Sequence, residues 1–262
     1  MPFVTAGGRR LEYAWVGEGD AAAPVIVMLH EGLGSVALWR DFPASVHAAT
    51  GLRVLVYSRW GYGKSEPIPR GPRPVEYLNP EGREVLPDLL RQLGIARPIL
   101  LGHSDGGSIA FIHAGSGAAP APVGVITMAA HLFVETVSTI SIAKARVAYE
   151  ESDLRAKLAR FHDDVDGAFY SWNTTWLLPA FIQGFNIEAD VARVRCPVTA
   201  IQGAEDEYGT AKQLDAIREK TQGRAEIVVL ANCRHSPHRD QPDATLAAIG
   251  RHAARARAAA AA

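Results

Sequence analysis

The chain has 262 residues, of which 48% are apolar and 21% charged, with a formal net charge of −1; this is long enough to bury a large core and excludes a disordered or fibrous class. Its 27 lysines and arginines are balanced by 28 acids, so the basic face of a nucleic-acid binder is missing and nucleic acid is not an expected partner. No apolar run is long enough to span a bilayer, and the N-terminus lacks a basic start followed by an apolar block, so we expect no membrane partner and a cytoplasmic location.

Residues 3–5 and 11–16 flank Gly7-Gly8 and predict an antiparallel hairpin at a sheet edge. Short, near-continuous apolar runs then recur at 24–30, 53–58, 98–101, 123–128, 197–202 and 225–230, bounded by Gly, Pro or polar residues. That pattern predicts parallel strands covered on both faces. Helical patterns fall between and after them, at 37–49, 80–93, 105–114, 210–221 and from 243 to about 257, so the fold class is α/β, a mostly parallel, doubly wound sheet. From His131 to about Ile187 the rhythm stops, and helical pieces rich in aromatic residues follow one another without a strand. We divide the chain accordingly into a core, 1–130 with 188–262, and an inserted helical cap or lid, 131–187. Phe169, Trp172 and Trp176 are spaced to share one helical face. Rings of this segment fasten it to the core, and some line a pocket beneath it. His131, which ends a strand, and Trp172 and Trp176 are the expected substrate contacts. The Ala-rich tail 253–262 has helical propensity but nothing to pack with, so its end is expected to fray. Cys196 precedes one strand and Cys233 follows its neighbour. At ~3.3 Å rise per residue they lie more than ~10 Å apart, beyond the about 7 Å a disulfide tolerates, and two free thiols are expected.

Gly102-His103-Ser104-Asp105-Gly106 matches Gly-X-Ser-X-Gly with a strand before it and a helix after it. Such a turn forces its serine into a strained conformation and exposes the hydroxyl. The stretch lacks both Gly-X-Gly-X-X-Gly spacing and a Walker lysine, which argues against a phosphate loop. Asp105 as nucleophile would place His103 where a small residue is needed. A serine hydroxyl needs a base, oriented by a carboxylate. His235, in the loop after the last strand, reaches the same sheet edge, with His238 as its rival. The acid comes from the turn Gly203-Ala204-Glu205-Asp206-Glu207-Tyr208 after the preceding strand. All lie on loops at one edge of one sheet, where ligand sites of open α/β sheets belong.

From about Pro24 to Pro242 the sequence resembles an α/β-hydrolase fold enzyme with a serine nucleophile. Five motifs stand in that family's order: His30-Glu31-Gly32-Leu33-Gly34-Ser35, Ser58-Arg59-Trp60-Gly61-Tyr62-Gly63-Lys64-Ser65, the Ser104 turn, Gly203-Ala204-Glu205-Asp206, and His235 with Asp240 and Pro242. The resemblance selects Asp206 over Glu205 and Glu207, and His235 over His238; because some members of the family carry their acid one strand earlier, it also makes Glu135 the back-up acid. It also implies an oxyanion hole. One donor is the Asp105 amide at a helix N-terminus; the other is Gly32, or Leu33 if Glu31 is counted as an insertion. Glu31 stands where the usual His-Gly opening has its glycine, and we expect its carboxylate to turn away from the hole, onto an arginine such as Arg59; the alternative is that it contacts a polar group of the substrate. His30 and His103 are expected to support loops by hydrogen bonds, and His113 to be structural.

The resulting expectation is a serine hydrolase for a small ester, thioester or lactone with an apolar or aromatic part, acting as a monomer or homodimer without metal or cofactor. Hydrolysis of a carbon–carbon bond in a ring-cleavage product uses the same three residues and is the alternative reaction. A ligand receptor on the same fold is the non-enzymatic alternative.

Overall fold

The computed structural model describes residues 1–20 and 22–259. Strands β1 (Phe3–Ala6), β2 (Arg9–Val16), β3 (Val25–Leu29), β4 (Val54–Tyr57), β5 (Pro98–His103), β6 (Gly124–Met128), β7 (Val198–Gly203) and β8 (Ala225–Leu230) form one sheet in the order β1-β2-β4-β3-β5-β6-β7-β8. The β1–β2 and β2–β4 pairs are antiparallel and every later pair is parallel. Gly7 and Gly8, at φ 56° and 72°, make the two-residue turn of the N-terminal hairpin, where both central positions require positive φ.

Successive strand residues point to opposite faces, and the apolar runs fill two cores as a result. Ile26, Met28, Val54, Val56, Ile99 and Leu101 face one layer, built on helices α1 (Phe42–Thr50) and α12 (Pro242–Ala259). Val27, Leu29, Leu55, Tyr57 and Leu100 face the other. That second layer contains α2 (Leu78–Pro80), α3 (Leu86–Gln92), α4 (Asp105–Ser116), the helices α5 (Thr136–Glu151), α6 (Leu154–Leu158), α7 (Val165–Trp176), α8 (Pro179–Gly184) and α9 (Glu188–Arg193), and α10 (Ala211–Lys220). A short α11 (Pro237–Asp240) precedes α12. No helix among the described residues is long and apolar enough to cross a membrane.

Several expectations need correction. The helix expected over 37–49 is a 3-10 turn, Ala37–Trp39, followed by a break at Arg40 (φ 52°) and α1. Pro43 is the cause: without an N–H it fits the first turn of a helix but not its interior. The helix expected over 80–93 starts at Leu78 and passes through a π turn, Glu81–Val85, just before Pro87, whose ring would collide with the carbonyl four residues back in a regular helix. β8 is an edge strand and mostly half-buried, with Val229 exposed, rather than covered on both faces. The tail also packs better than expected, because Ala253 and Ala256 are buried in the core with α1. Residues 260–262, to which fraying was assigned, lie outside the described residues. Both cysteines are free thiols, as expected.

Candidate active site

Because β3 and β5 to β8 run parallel, their C-terminal ends deliver five loops to one edge of the sheet. Ser104 follows β5 directly and adopts φ 52° and ψ −118°. The turn is possible only with glycine on each side. A Cβ at Gly102 would lie 2.2 Å from the Gly106 carbonyl oxygen, and one at Gly106 would lie 2.1 Å from the Leu29 carbonyl oxygen. Ser104 is nearly buried, and its hydroxyl has no hydrogen-bond partner among the described residues.

After β7 the chain turns so that Asp206 meets the loop after β8. His235 Nδ1 donates to Asp206 Oδ1 at 2.8 Å, which fixes the tautomer and leaves Nε2 as the basic nitrogen. Asp206 Oδ1 also accepts from the amides of Tyr208 (2.9 Å) and Gly209 (3.3 Å), and Oδ2 from Gln202 Nε2 (3.2 Å). Burial pushes this carboxyl up, but the hydrogen bond and charge of His235 and the Tyr208 amide outweigh it and hold it below its ordinary value. Ser104, His235, Glu31, Gly32, Asp105, His131, Trp172 and Trp176 line one cavity of about 300 Å³.

The loop after β3 is held from behind. His30 Nδ1 donates to the Glu31 carbonyl (2.7 Å) while its Nε2 accepts from the Arg59 amide (3.0 Å), and His103 Nε2 donates to the His235 carbonyl (2.7 Å). These are the loop-supporting bonds expected of His30 and His103. The amides of Asp105, Gly32 and Leu33 have no partner among the described residues, whereas that of Gly34 is bonded to the Glu31 carbonyl. Gly32 lies against the helical segment, since a Cβ there would be 2.2 Å from Trp172 Nε1.

The Glu31 carboxylate does not reach Arg59. It faces His103 Nδ1 at 3.5 Å, and Arg59 Nη2 instead donates to the Glu31 carbonyl (2.9 Å) and stands 3.5 Å from Asp105 Oδ2. The side chain is turned by its backbone: once the carbonyl is fixed on Arg59 and His30, the carboxylate points to the His103 side. The Asp105 carboxylate is engaged by Arg59 and by Tyr77 Oη (2.7 Å), which in turn accepts from Trp176 Nε1 (3.0 Å). Burial, and then the Asp105 charge, push the Tyr77 phenol well above its usual value, so it stays a donor.

The alternatives raised by the sequence sit elsewhere. His238 packs behind the turn among Trp39, Phe42 and His103, and burial lowers it to about 3. Glu135 is bonded to the Thr210 amide (2.9 Å), Thr210 Oγ1 (2.7 Å) and Gln213 Nε2 (2.9 Å). His113 is bonded to the carbonyls of Gly82 and Pro120. His131 donates through Nε2 to the Tyr208 carbonyl (3.1 Å) and stands edge-on to Trp176. Trp172 and Trp176 reach the cavity, but Phe169 stacks on Tyr149 with centroids 3.7 Å apart and Phe181 stacks on Phe185 at 5.0 Å. Two contributors escaped the sequence reading. Tyr77 lies in a Pro-rich stretch without a motif, and His162 joins the Leu33 carbonyl (2.9 Å) to the Gly63 amide (3.0 Å) from the helical segment. Among the described residues, no group of three or more His, Cys, Asp or Glu side chains is placed to hold a metal ion.

Comparison with known proteins agrees with this architecture. An enol-lactonase from Burkholderia xenovorans LB400 superposes with a TM-score of 0.71 at 22% identity, covering 94% of this chain and 96% of that one. A thermophilic esterase from Thermogutta terrifontis gives 0.69 at 17% identity, covering 98% of each chain. A variant of the meta-cleavage product hydrolase CumD gives 0.71 at 17% identity, covering 97% of this chain and 98% of that one. At such identities the likeness is one of fold. The sequence itself matches the alpha/beta hydrolase family over residues 26–248, and the chain, with its mostly parallel eight-stranded sheet and antiparallel N-terminal hairpin, belongs to that family.

Proposed function

We propose that the protein is a serine hydrolase that cleaves a small carboxylic ester, thioester or lactone through an acyl-enzyme on Ser104. The observation that carries this reading is the Asp206–His235 hydrogen bond of 2.8 Å on the cavity shared with Ser104. Ser104 Oγ bonds to the carbonyl carbon as its proton passes to His235 Nε2. The amides of Asp105 and Gly32 donate to the oxyanion so formed. Collapse breaks the bond to the leaving oxygen or sulfur, which takes the proton back from His235. Water, deprotonated by the same imidazole, then releases the acid and restores Ser104. Asp206 keeps the ring in the tautomer with Nε2 free and stabilises its cation. Catalytic hydrogen bonds often tighten only as the carbonyl seats, so these roles do not require a Ser104–His235 hydrogen bond beforehand. Trp172, Trp176, Ile142 and Leu158 offer an apolar wall to an aliphatic or aromatic substituent. The reaction classes of the enol-lactonase and esterase neighbours are compatible with the reading.

The test combines a chromogenic ester, a lactone and a vinylogous diketone with a fluorophosphonate label. We expect ester or lactone turnover, label on Ser104, and loss of at least ~10⁴-fold in kcat for Ser104→Ala. Retained turnover in that variant overturns the assignment of Ser104. Cleavage of the diketone alone replaces the ester reading with carbon–carbon hydrolysis, and an unlabelled, inactive wild-type protein returns the receptor.

A further inference from the structure

Several polar side chains at the cavity are already engaged. Asp206 holds His235, Glu207 accepts the His235 amide (3.1 Å) and pairs with Arg234 (3.2 Å), and His131 donates to Tyr208. Glu31 differs from all of them. Its carboxylate accepts no hydrogen bond among the described residues, and the nearest nitrogen, His103 Nδ1 at 3.5 Å, is itself without a hydrogen-bond partner. His103 already donates through Nε2 to the His235 carbonyl, so only Nδ1 of its ring is left to face Glu31. Arg239, also at the cavity, forms no ion pair with Glu31 among the described residues.

The carboxylate is nonetheless held in place. Its backbone carbonyl is bonded to both Arg59 and His30, and Gly34 leaves it room, since a Cβ there would lie 2.5 Å from Oε2. The side chain is 21% exposed, and it lines the cavity that also holds Ser104 and the Asp105 and Gly32 amides. Of the other residues lining the cavity, Leu33, Leu38, Ile142 and Leu158 have no side-chain donor. Burial penalises the Glu31 charge, but His103 first and then His30 and His238 outweigh it and hold the carboxyl well below its ordinary value, so it stays ionised. That charge shares the cavity with the site where negative charge develops, and the two repel most in the transition state. A donor on the substrate itself relieves that repulsion.

Building on the serine-hydrolase reading, we propose that Glu31 determines specificity at this site by accepting a hydrogen bond from a hydroxyl or ammonium group that the substrate carries near its scissile carbonyl. The bound donor solvates the carboxylate, an ammonium also offsetting its charge, and leaves the oxyanion to the backbone amides. Substrates without such a group keep the repulsion and turn over slowly.

The experiment measures kcat and KM for phenyl butanoate, its 2- and 3-hydroxy and 2- and 3-amino derivatives, and phenyl hydrogen succinate, each divided by its hydroxide-catalysed rate, with wild type and Glu31→Gln. We expect the best hydroxy or amino ester to exceed phenyl butanoate by about tenfold or more in the wild type. In Glu31→Gln that preference shrinks and phenyl butanoate turnover rises. A fall confined to the amino esters identifies the ammonium as the natural donor, and a fall shared with the hydroxy esters identifies the hydrogen bond. The wild-type comparison stands by itself if the variant does not fold. A wild type that prefers phenyl butanoate or the succinate ester overturns the proposal, as does a variant that loses the same factor on every ester. Absence of any ester turnover together with absence of fluorophosphonate label overturns the underlying hydrolase reading instead.

Discussion

Ser104, at φ 52° and ψ −118°, occupies a region that costs a residue with a side chain about 1–3 kcal/mol. The surrounding turn enforces it through the Ser104 amide, bonded to the Met128 carbonyl at 2.8 Å, and through the close approach of Gly102 and Gly106. Glycine adopts positive φ without that cost, although it gains about 0.5–1 kcal/mol of freedom in the unfolded chain. Ser104→Gly should therefore raise stability, by about 1 kcal/mol in urea titration, while abolishing ester turnover; a less stable variant would show that the serine is not strained. The same contacts explain why this turn was legible in the sequence. Where backbones approach to hydrogen-bonding distance, residue identity is forced to glycine, and spacing alone reveals the geometry. Glu31 was not legible in that way. The direction of its carboxylate depends on Arg59 and His103, which arrive from other strands, so its place in the loop after β3 could not say where it points.

Among the elements, α5, α6 and α7, which lie between β6 and β7, meet at one carboxylate. Asp166, in the first turn of α7, accepts from Tyr149 Oη on α5 (2.6 Å) and from Arg155 on α6 (2.8 and 2.9 Å), and pairs with Arg70 (3.0 Å). Hydrogen bonds from Arg155 and then Tyr149 push its carboxyl down to about 2. A carboxylate depressed on folding adds stability that is fully present above its unfolded value and is lost as pH falls through its folded value. The window is thus from about 4 down to about 2. Arg155 and Arg70 are 55% and 65% exposed, so screening limits the contribution to about 1 kcal/mol. Asp166→Asn should lower stability by that amount near neutrality and show a shallower acid loss in this window, read by urea midpoints at several pH values. Parallel slopes in variant and wild type would remove the role. None of this was visible as a motif, because the three partners share no helix face. The strands were legible for the opposite reason: burial on both faces leaves them almost no polar residues, and only the edge position of β8 broke that rule. Helix boundaries shifted where proline acts on backbone rather than pattern, at Pro43 and Pro87.

Across the whole molecule, the two faces of the sheet are closed by different chemistry. The layer beneath the active site uses large rings, whereas the opposite layer is completed by α12, whose contact side is Ala248, Ile249, Ala253 and Ala256. An alanine run reads as featureless in a sequence, yet its smallness is what lets α12 lie close to α1. Gly250 approaches the Ala49 carbonyl so nearly that a Cβ would rest 3.4 Å from it, and Ala253 and Ala256 are 1% exposed. His252 of the same helix bonds Thr199 Oγ1 of β7 at 2.9 Å, fixing its rotation. This packing gives two substitutions opposite signs. Gly250→Ala keeps an ordinary contact and removes the conformational freedom of a mid-helix glycine, so stability should rise by about 0.5–1 kcal/mol. Ala253→Leu forces three further carbons into a filled seam and should cost about 1–3 kcal/mol, or separate the helices. Both are read as shifts of the urea midpoint at constant slope. Turnover should change little in either, because α12 lies on the face away from the cavity. If Ala253→Leu is neutral, α12 is not seated on α1 in solution and the second core is more open than the structure describes.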